Sequence, residues 1–138
     1  MKVKKLLLKN FMLFEDAKID WSKNINIICG ENNTGKTTLL KVMYSVLKPL
    51  GKDYQEAAAK DMEKKIFVSK LQGVFRPDNM KIGRLVSRKH GSNRTDFTVI
   101  LDKERELNIG FGNQQENHAD IKTKNMDSIE KYDVIYTY

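Results

Sequence analysis

The sequence predicts an α/β fold, a mixed sheet around one central helix with an antiparallel sheet at its side, and three observations predict it. "NINIIC" (residues 24–29) sets Ile25, Ile27 and Ile28 in a nearly continuous apolar run, the pattern of a strand buried in a parallel sheet. "GENNTGKT" (residues 30–37) follows at once, with glycines five positions apart. Leu39, Leu40, Met43, Val46 and Leu47 then recur at helical spacing, and Pro49 and Gly51 end the helix.

The flanking segments extend this frame. "KVKKLLLKNF" (2–11) has no Gly or Pro and reads as a strand, and "AKIDW" (17–21) reads as a second. "AAAKDMEKKIFVSKLQGVF" (57–75) reads as a helix with Ile66, Phe67, Leu71, Val74 and Phe75 on one side, stopped by Pro77. "GRLVSR" (83–88) and "RTDFTVILD" (94–102) flank "KHGSN", whose turn residues predict a hairpin. Leu107, Ile109 and Phe111 alternate along another strand, "NQQENHAD" (113–120) reads as an exposed polar loop, and "YDVIYTY" (132–138) reads as a strand. The spacing predicts a single lobe over 1–138: a loop-bearing core (1–50), a helical segment (55–76), and an antiparallel side sheet with a final strand (82–138).

A chain of 138 residues, 40% apolar and 31% charged, makes one globular domain or one lobe of a larger one. No apolar run approaches the roughly 18 residues of a membrane span, and the three leucines after the basic start fall short of a signal peptide, so the chain reads as cytoplasmic with no membrane partner. Cys29 stands alone and reads as a small buried hydrophobe at a strand end; no Cys/His cluster has metal-ligand spacing, and His90 and His118 read as solvated turn residues. Trp21 and the C-terminal tyrosines read either as packing groups or as an exposed edge for a partner segment. The net charge of +7 is uneven. Lys2, Lys4, Lys5 and Lys9 stand without an acid, and Arg76, Lys81, Arg84, Arg88, Lys89 and Arg94 face only Asp78 within 76–94. Such clustering suits either a solvated basic surface or a polyanion such as double-stranded DNA, with Arg84, Arg88, Lys89 and Arg94 as candidate contacts.

The glycine loop carries the chemistry. Gly30-Glu31-Asn32-Asn33-Thr34-Gly35-Lys36-Thr37 fits the phosphate-loop pattern G-x-x-x-x-G-K-[ST]. In that reading Gly30 and Gly35 admit close approach of the backbone, and amides from about Asn33 through Thr34 to Thr38 curl round a β-phosphate at the helix N-terminus. Lys36 supplies charge to the β- and γ-phosphates, the Thr37 hydroxyl ligates Mg²⁺, and Thr38 adds an α-phosphate contact. The bound group is then a nucleotide polyphosphate with Mg²⁺, and the loop does not say which base it carries, since its contacts are all to phosphates. A chain this long shows the pattern by chance roughly once in a few hundred tries, and the strand before it and helix after it lower that further.

On these residues a family resemblance enters. "LLLKNFMLFEDAKIDWSKNINIICGENNTGKTTLLKVMYSVL" (6–47) resembles the N-terminus of RecF/SMC-type ATPases, including OLD-like and related AAA family proteins of bacterial genome maintenance and phage defence. "KNF" at 9–11, "INII" before the loop and the Asn-rich "GENNTGKTTLL" carry the likeness; "VFRPDNMKIGRLVSR" and "YDVIYTY" match less specifically. The resemblance implies a P-loop NTPase fold, the N-terminal lobe of an ABC/SMC-type head. It also implies ATP·Mg²⁺ binding, DNA on the same lobe, and a complementary ATPase half or a homodimer partner. Met12 departs from it, since many relatives carry a basic residue there. Hydrolysis in such heads needs an Asp closing four apolar residues, a Glu beside it, and a Ser-Gly-Gly signature. No "SGG" occurs, and Asp102, after Val99-Ile100-Leu101, is followed by Lys103 on an alternating, half-buried strand.

The leading expectation is therefore an ATP-binding lobe that alone is inactive or very slow as an ATPase, with no catalytic residue assigned. The alternative is a DNA-binding module using window 76–94 with a vestigial loop. A small self-sufficient kinase or GTPase finds no guanine-reading Asn-Lys-x-Asp and no Arg-rich lid.

Overall fold

The computed structural model describes residues 2–53, 60–88, 91, 93–126 and 134–137. Five strands form one sheet in the order β2-β1-β3-β4-β5: β1 (Val3–Phe11), β2 (Phe14–Asp20), β3 (Arg94–Leu101), β4 (Glu106–Gly112) and β5 (Asp120–Lys124). Among the described residues every pairing is antiparallel. Two α-helices accompany it among the described residues, α1 (Lys36–Lys48) and α2 (Lys60–Phe75).

Alternation explains the core. Phe97, Val99 and Leu101 of β3 and Leu107, Ile109 and Phe111 of β4 are buried, as their period of two requires. With Leu6 and Leu8 of β1, Leu39, Val42, Met43 and Val46 of α1, and Phe67, Val68 and Leu71 of α2, they make one continuous cluster. Phe11 joins sheet to helix: its ring meets Phe75 edge-on at 5.4 Å and Phe97 at 5.6 Å, the arrangement aromatic quadrupoles favour. Leu40, expected on the apolar face of α1, is 44% exposed.

Four sequence expectations are corrected. Residues 24–29 form no strand. Asn26 Oδ1 accepts from the Ser22 amide (2.7 Å) and Ser22 Oγ donates to the Ile25 carbonyl (2.7 Å), so local side-chain bonds shape this stretch instead of a ladder. A parallel strand also needs neighbours, and among the described residues none pairs with it. Second, β3 does not pair with 83–88. Its partners are β1 and β4, with the turn at Asp102–Arg105, while 82–85 coil into a tight 3-10 turn. Third, β5 arises at the end of the polar loop, in a sequence (Asp-Ile-Lys-Thr-Lys) with one apolar residue. Fourth, 134–137 are not in a strand. Tyr136 lies 5.7 Å from Tyr44 of α1, and Lys48 Nζ donates to the Val134 carbonyl (3.0 Å). This stretch lies against a helix rather than a sheet edge.

Candidate nucleotide-binding site

The glycine loop enters α1 through Gly35, which caps the helix at φ 90, ψ 11, a left-handed conformation that favours glycine. A Cβ at Gly35 would stand 2.7 Å from Phe14 Cζ, so the position has neither the angles nor the space for a side chain. The cap makes no side-chain hydrogen bond, and the Leu39 amide is the first in α1 to close on the Gly35 carbonyl, at 2.9 Å. The amides of Lys36, Thr37 and Thr38 are thereby left as donors at the positive end of a 13-residue helix.

A cleft of ≈ 500 Å³ opens over these donors, lined by Asn32, Asn33, Thr34, Gly35, Lys36, Thr37, Thr38 and Leu13. The Lys36 ammonium folds back onto the loop, donating to the Gly30 carbonyl and, at 2.8 Å, to the Glu31 carbonyl. Thr34 Oγ1 also donates to the Glu31 carbonyl, at 2.7 Å. The loop is thus held by its own lysine and threonine, and an incoming anion would exchange two carbonyl partners of Lys36 for charged oxygens, a stronger bond. Helix amides, an ammonium and a threonine hydroxyl are the donor set that a triphosphate with Mg²⁺ requires, and they fit it. Cys29, expected to be buried, is exposed, because the strand meant to enclose it does not form. Among the described residues no cluster of three or more His, Cys, Asp or Glu is placed to hold a metal ion.

Sequence reasoning missed the β1–β2 tip. Phe11 pairs with Phe14, leaving Met12 and Leu13 as a two-residue turn. Leu13 lines the cleft, and Phe14 packs on Gly35. Two strands separated by "ML" signal a hairpin, but no local pattern brings that hairpin to a loop some twenty residues later.

Asp102 lies elsewhere. Its amide donates to the Lys2 carbonyl, so it sits at the opposite end of the nine-residue β1 from the tip, roughly 30 Å away at about 3.3 Å per residue. There Asp102 Oδ1 accepts from the buried Arg105 guanidinium at 2.7 Å. Burial works to raise its pKa, but the hydrogen bond from the Lys2 backbone and the Arg105 charge outweigh it and hold the carboxyl below its usual range. Asp102 is a turn-closing partner for Arg105.

The basic window separates into paired and unpaired charges. Arg94 bonds Asp120 (2.9 Å) and approaches Asp96 (3.6 Å), and Lys81 bonds Glu116 (2.7 Å). Arg84 and Arg88 are exposed, make no ion pair among the described residues, and line a polar cleft of ≈ 670 Å³ with Asn113, Gln114 and Gln115 and with the carboxylates Asp78 and Glu116. The candidate contact Lys89 lies outside the described residues, as does His90; His118 is exposed and 3.4 Å from Asp120.

An α/β lobe with a phosphate loop capping its first helix, flanked by an antiparallel sheet, is the architecture of the N-terminal lobe of a P-loop ATPase head. The family model for the AAA ATPase domain matches residues 1–138, and the chain belongs to that family, as a RecF/SMC-like N-terminal lobe. It is similar to the DNA replication and repair protein RecF of Protochlamydia amoebophila, 32% identical over 103 residues (74% of this chain, 27% of the relative). RecF of Staphylococcus haemolyticus is 29% identical over 131 residues (83% and 35%), and RecF of Lactococcus lactis subsp. cremoris is 46% identical over 44 (32% and 12%). The chain thus spans about a third or less of these relatives' length. A solved structure from work on the "Structural biochemistry of ATP-driven dimerization and DNA stimulated activation of SMC ATPases" shares the fold, with TM-score 0.51 at 16% identity, covering 89% of this chain and 69% of that one. Among the described residues no helix is long and apolar enough to cross a membrane.

Proposed function

We propose that this chain is the ATP-binding lobe of a RecF/SMC-like ATPase of DNA maintenance or phage defence, and that it works in the cytoplasm as one unit. The observation that carries this is the set of donors converging on one cleft: the amides of Lys36, Thr37 and Thr38 at the Gly35 cap, with the Lys36 ammonium beside them. Gly30, Asn33, Thr34 and Gly35 shape the phosphate cradle, Lys36 neutralises the β- and γ-phosphates, Thr37 holds Mg²⁺, and Thr38 closes on the α-phosphate. The metal would neutralise charge on the phosphate oxygens.

Hydrolysis, in this reading, draws on a complementary ATPase half or a second copy. The support is Ile25 and Ile27, 79% and 81% exposed in the stretch leading into the loop. Two large apolar side chains at that place are what a covering strand would bury, at about 25 cal/mol per Å² of apolar surface. The subdivision into a loop core (1–50), a helical segment (55–76) and a side sheet (82–138) is part of the same proposal, with β1 and β2 of the core hydrogen-bonded into the sheet of the third segment.

Calorimetry tests the nucleotide reading. ATP·Mg²⁺ should bind the wild type, and Lys36→Ala should weaken it by at least about tenfold, the loss of one charge-assisted contact of about 1.5–3 kcal/mol. Binding indifferent to Lys36→Ala would refute it. A second reading, duplex binding through Arg84 and Arg88, is favoured by their exposure and by their making no ion pair among the described residues. The two are compatible on one lobe.

A further inference from the structure

We propose that the groove between α1 and α2 docks an acidic, amphipathic segment of a partner protein. The groove shares no lining residue with the cleft over the glycine loop or with the Arg84–Arg88 cleft.

One face of α2 faces the core, where Phe67, Val68 and Leu71 are buried. A second face does not. Ile66, Ser69, Lys70, Gly73 and Val74 recur at i, i+3, i+4, i+7 and i+8, the spacing that shares one side of a helix. They line a cavity of ≈ 570 Å³ against Tyr44 of α1. A cavity of ≈ 430 Å³ shares Tyr44, Gly73 and Val74 with the first and continues to Lys41, Arg76 and Tyr136. The two make one groove, which follows α2 from Lys65 to Phe75 for roughly 15 Å at about 1.5 Å per residue.

Gly73 stands where the two cavities meet. Glycine inside a helix weakens it relative to alanine, because ordering the backbone there removes more freedom. No contact demands it here, since an added Cβ would meet no described atom within 4 Å. The notch leaves room for a side chain arriving from outside. Charge says which kind of segment brings it. Among the described residues lining the groove, Lys41, Lys65, Lys70 and Arg76 are cationic and none is acidic. None of the four makes an ion pair among the described residues. Like charges gathered without a counter-charge favour an anionic occupant.

That occupant is a peptide. A nucleic-acid strand would stack its bases on open aromatic faces, whereas the Tyr44 ring already has Lys70 Nζ at 5.7 Å from its centroid and the Tyr136 ring at 5.7 Å. Ile66 and Val74, both half-buried, instead offer aliphatic walls to an apolar side chain seated over Gly73. A second copy of a chain with net charge +7 would bring more like charge. An amphipathic helix meets both demands, with its apolar stripe in the groove and carboxylates on the four cations.

The test is fluorescence anisotropy with a labelled synthetic helix of about fifteen residues, built of Glu, Ala and Leu with its leucines on one face. Wild type should bind it with a Kd below about 100 μM. Gly73→Leu, which fills the notch, should weaken binding at least about tenfold. Thermal melts should place that variant at or above the wild type, since leucine favours a helix over glycine and the Cβ site is open. Lys65→Glu combined with Lys70→Glu should also weaken binding at least about tenfold, and it tests the groove independently of the packing change. Arg84→Glu with Arg88→Glu, in the other cleft, should leave peptide affinity within about twofold of wild type. The proposal is overturned if wild type binds the peptide more weakly than about 100 μM, or if either groove variant binds as wild type does. It is overturned equally if the Arg84 and Arg88 reversal weakens binding as much as the groove variants, since general basic charge would then be responsible. Oligothymidylate that binds more tightly than the peptide and is lost in Gly73→Leu would make the groove a nucleic-acid site and overturn the peptide assignment.

Discussion

Gly35→Ala is the perturbation whose cost can be worked most directly from the structure. The residue adopts φ 90, ψ 11, and for an L side chain the left-handed region costs roughly 1–2 kcal/mol. The new methyl would also stand 2.7 Å from Phe14 Cζ and 3.2 Å from Cε2. Carbon pairs prefer about 3.5–4.0 Å, so the ring or the loop must move. Phe14 packs against the core cluster, and overfilling such a site costs about 1–3 kcal/mol. The sum is about 2–5 kcal/mol. Urea unfolding followed by circular dichroism should show this loss, and Gly35→Ala with Phe14→Leu should recover the steric share but not the backbone share. The second readout is ligand stabilisation. ATP·Mg²⁺ at a hundredfold its Kd should add about 2.7 kcal/mol to the wild type and far less to Gly35→Ala, whose helix amides no longer converge. A variant that unfolds at the wild-type urea midpoint and keeps the full ATP effect would show that neither the left-handed cap nor the Phe14 contact matters.

Arg84→Glu combined with Arg88→Glu should abolish measurable duplex affinity at moderate salt; for neutralisation to Gln, fluorescence anisotropy across a salt series should show the log–log slope reduced by about two. Unchanged affinity in the charge-reversed protein would remove the basic stretch from any nucleic-acid role. Acid should weaken the fold. The Arg94 guanidinium holds the Asp120 carboxyl below its usual range, and Lys81 does the same for Glu116. A carboxyl with a depressed folded pKa stabilises above the ordinary value near 4, and that contribution is lost as pH falls through the folded pKa. Melting temperature should therefore fall below about pH 4, modestly because these pairs are exposed. Arg94→Gln should flatten part of that fall, and a profile identical to wild type would mean that the Arg94–Asp120 pair contributes nothing.

What could be read from the sequence, and what could not, divides by the range of the forces involved. The glycine loop, α1 and the strands β1 to β4 were legible because each is written in contiguous residues. Gly35 followed by Lys36 and Thr37 marks a left-handed cap opening a helix, and Phe97, Val99 and Leu101 alternate as a one-sided strand must. The pairing was not legible. Both 83–88 and 106–112 could have taken β3 as partner; β4 wins with the tight Asp102–Arg105 turn and a full register from Arg94↔Gly112 to Ile100↔Glu106, which buries one face of both strands. β5 escaped notice because an edge strand beside β4 needs only backbone groups and one inward Ile121.

The same division governs the site. Each phosphate-loop residue is named by a local motif, but Leu13 and Phe14 reach the loop through contacts between distant parts of the chain, and no periodicity records them. Residues 24–29 invert the lesson. Their isoleucines have the composition of a buried strand, yet Ile25 and Ile27 stand exposed, since apolar sequence states a demand for partners without supplying them. Locally the Ser22–Asn26 bonds win, because they need no neighbour. A strand that paired here would have to displace those bonds and would cover Ile25 and Ile27 in return.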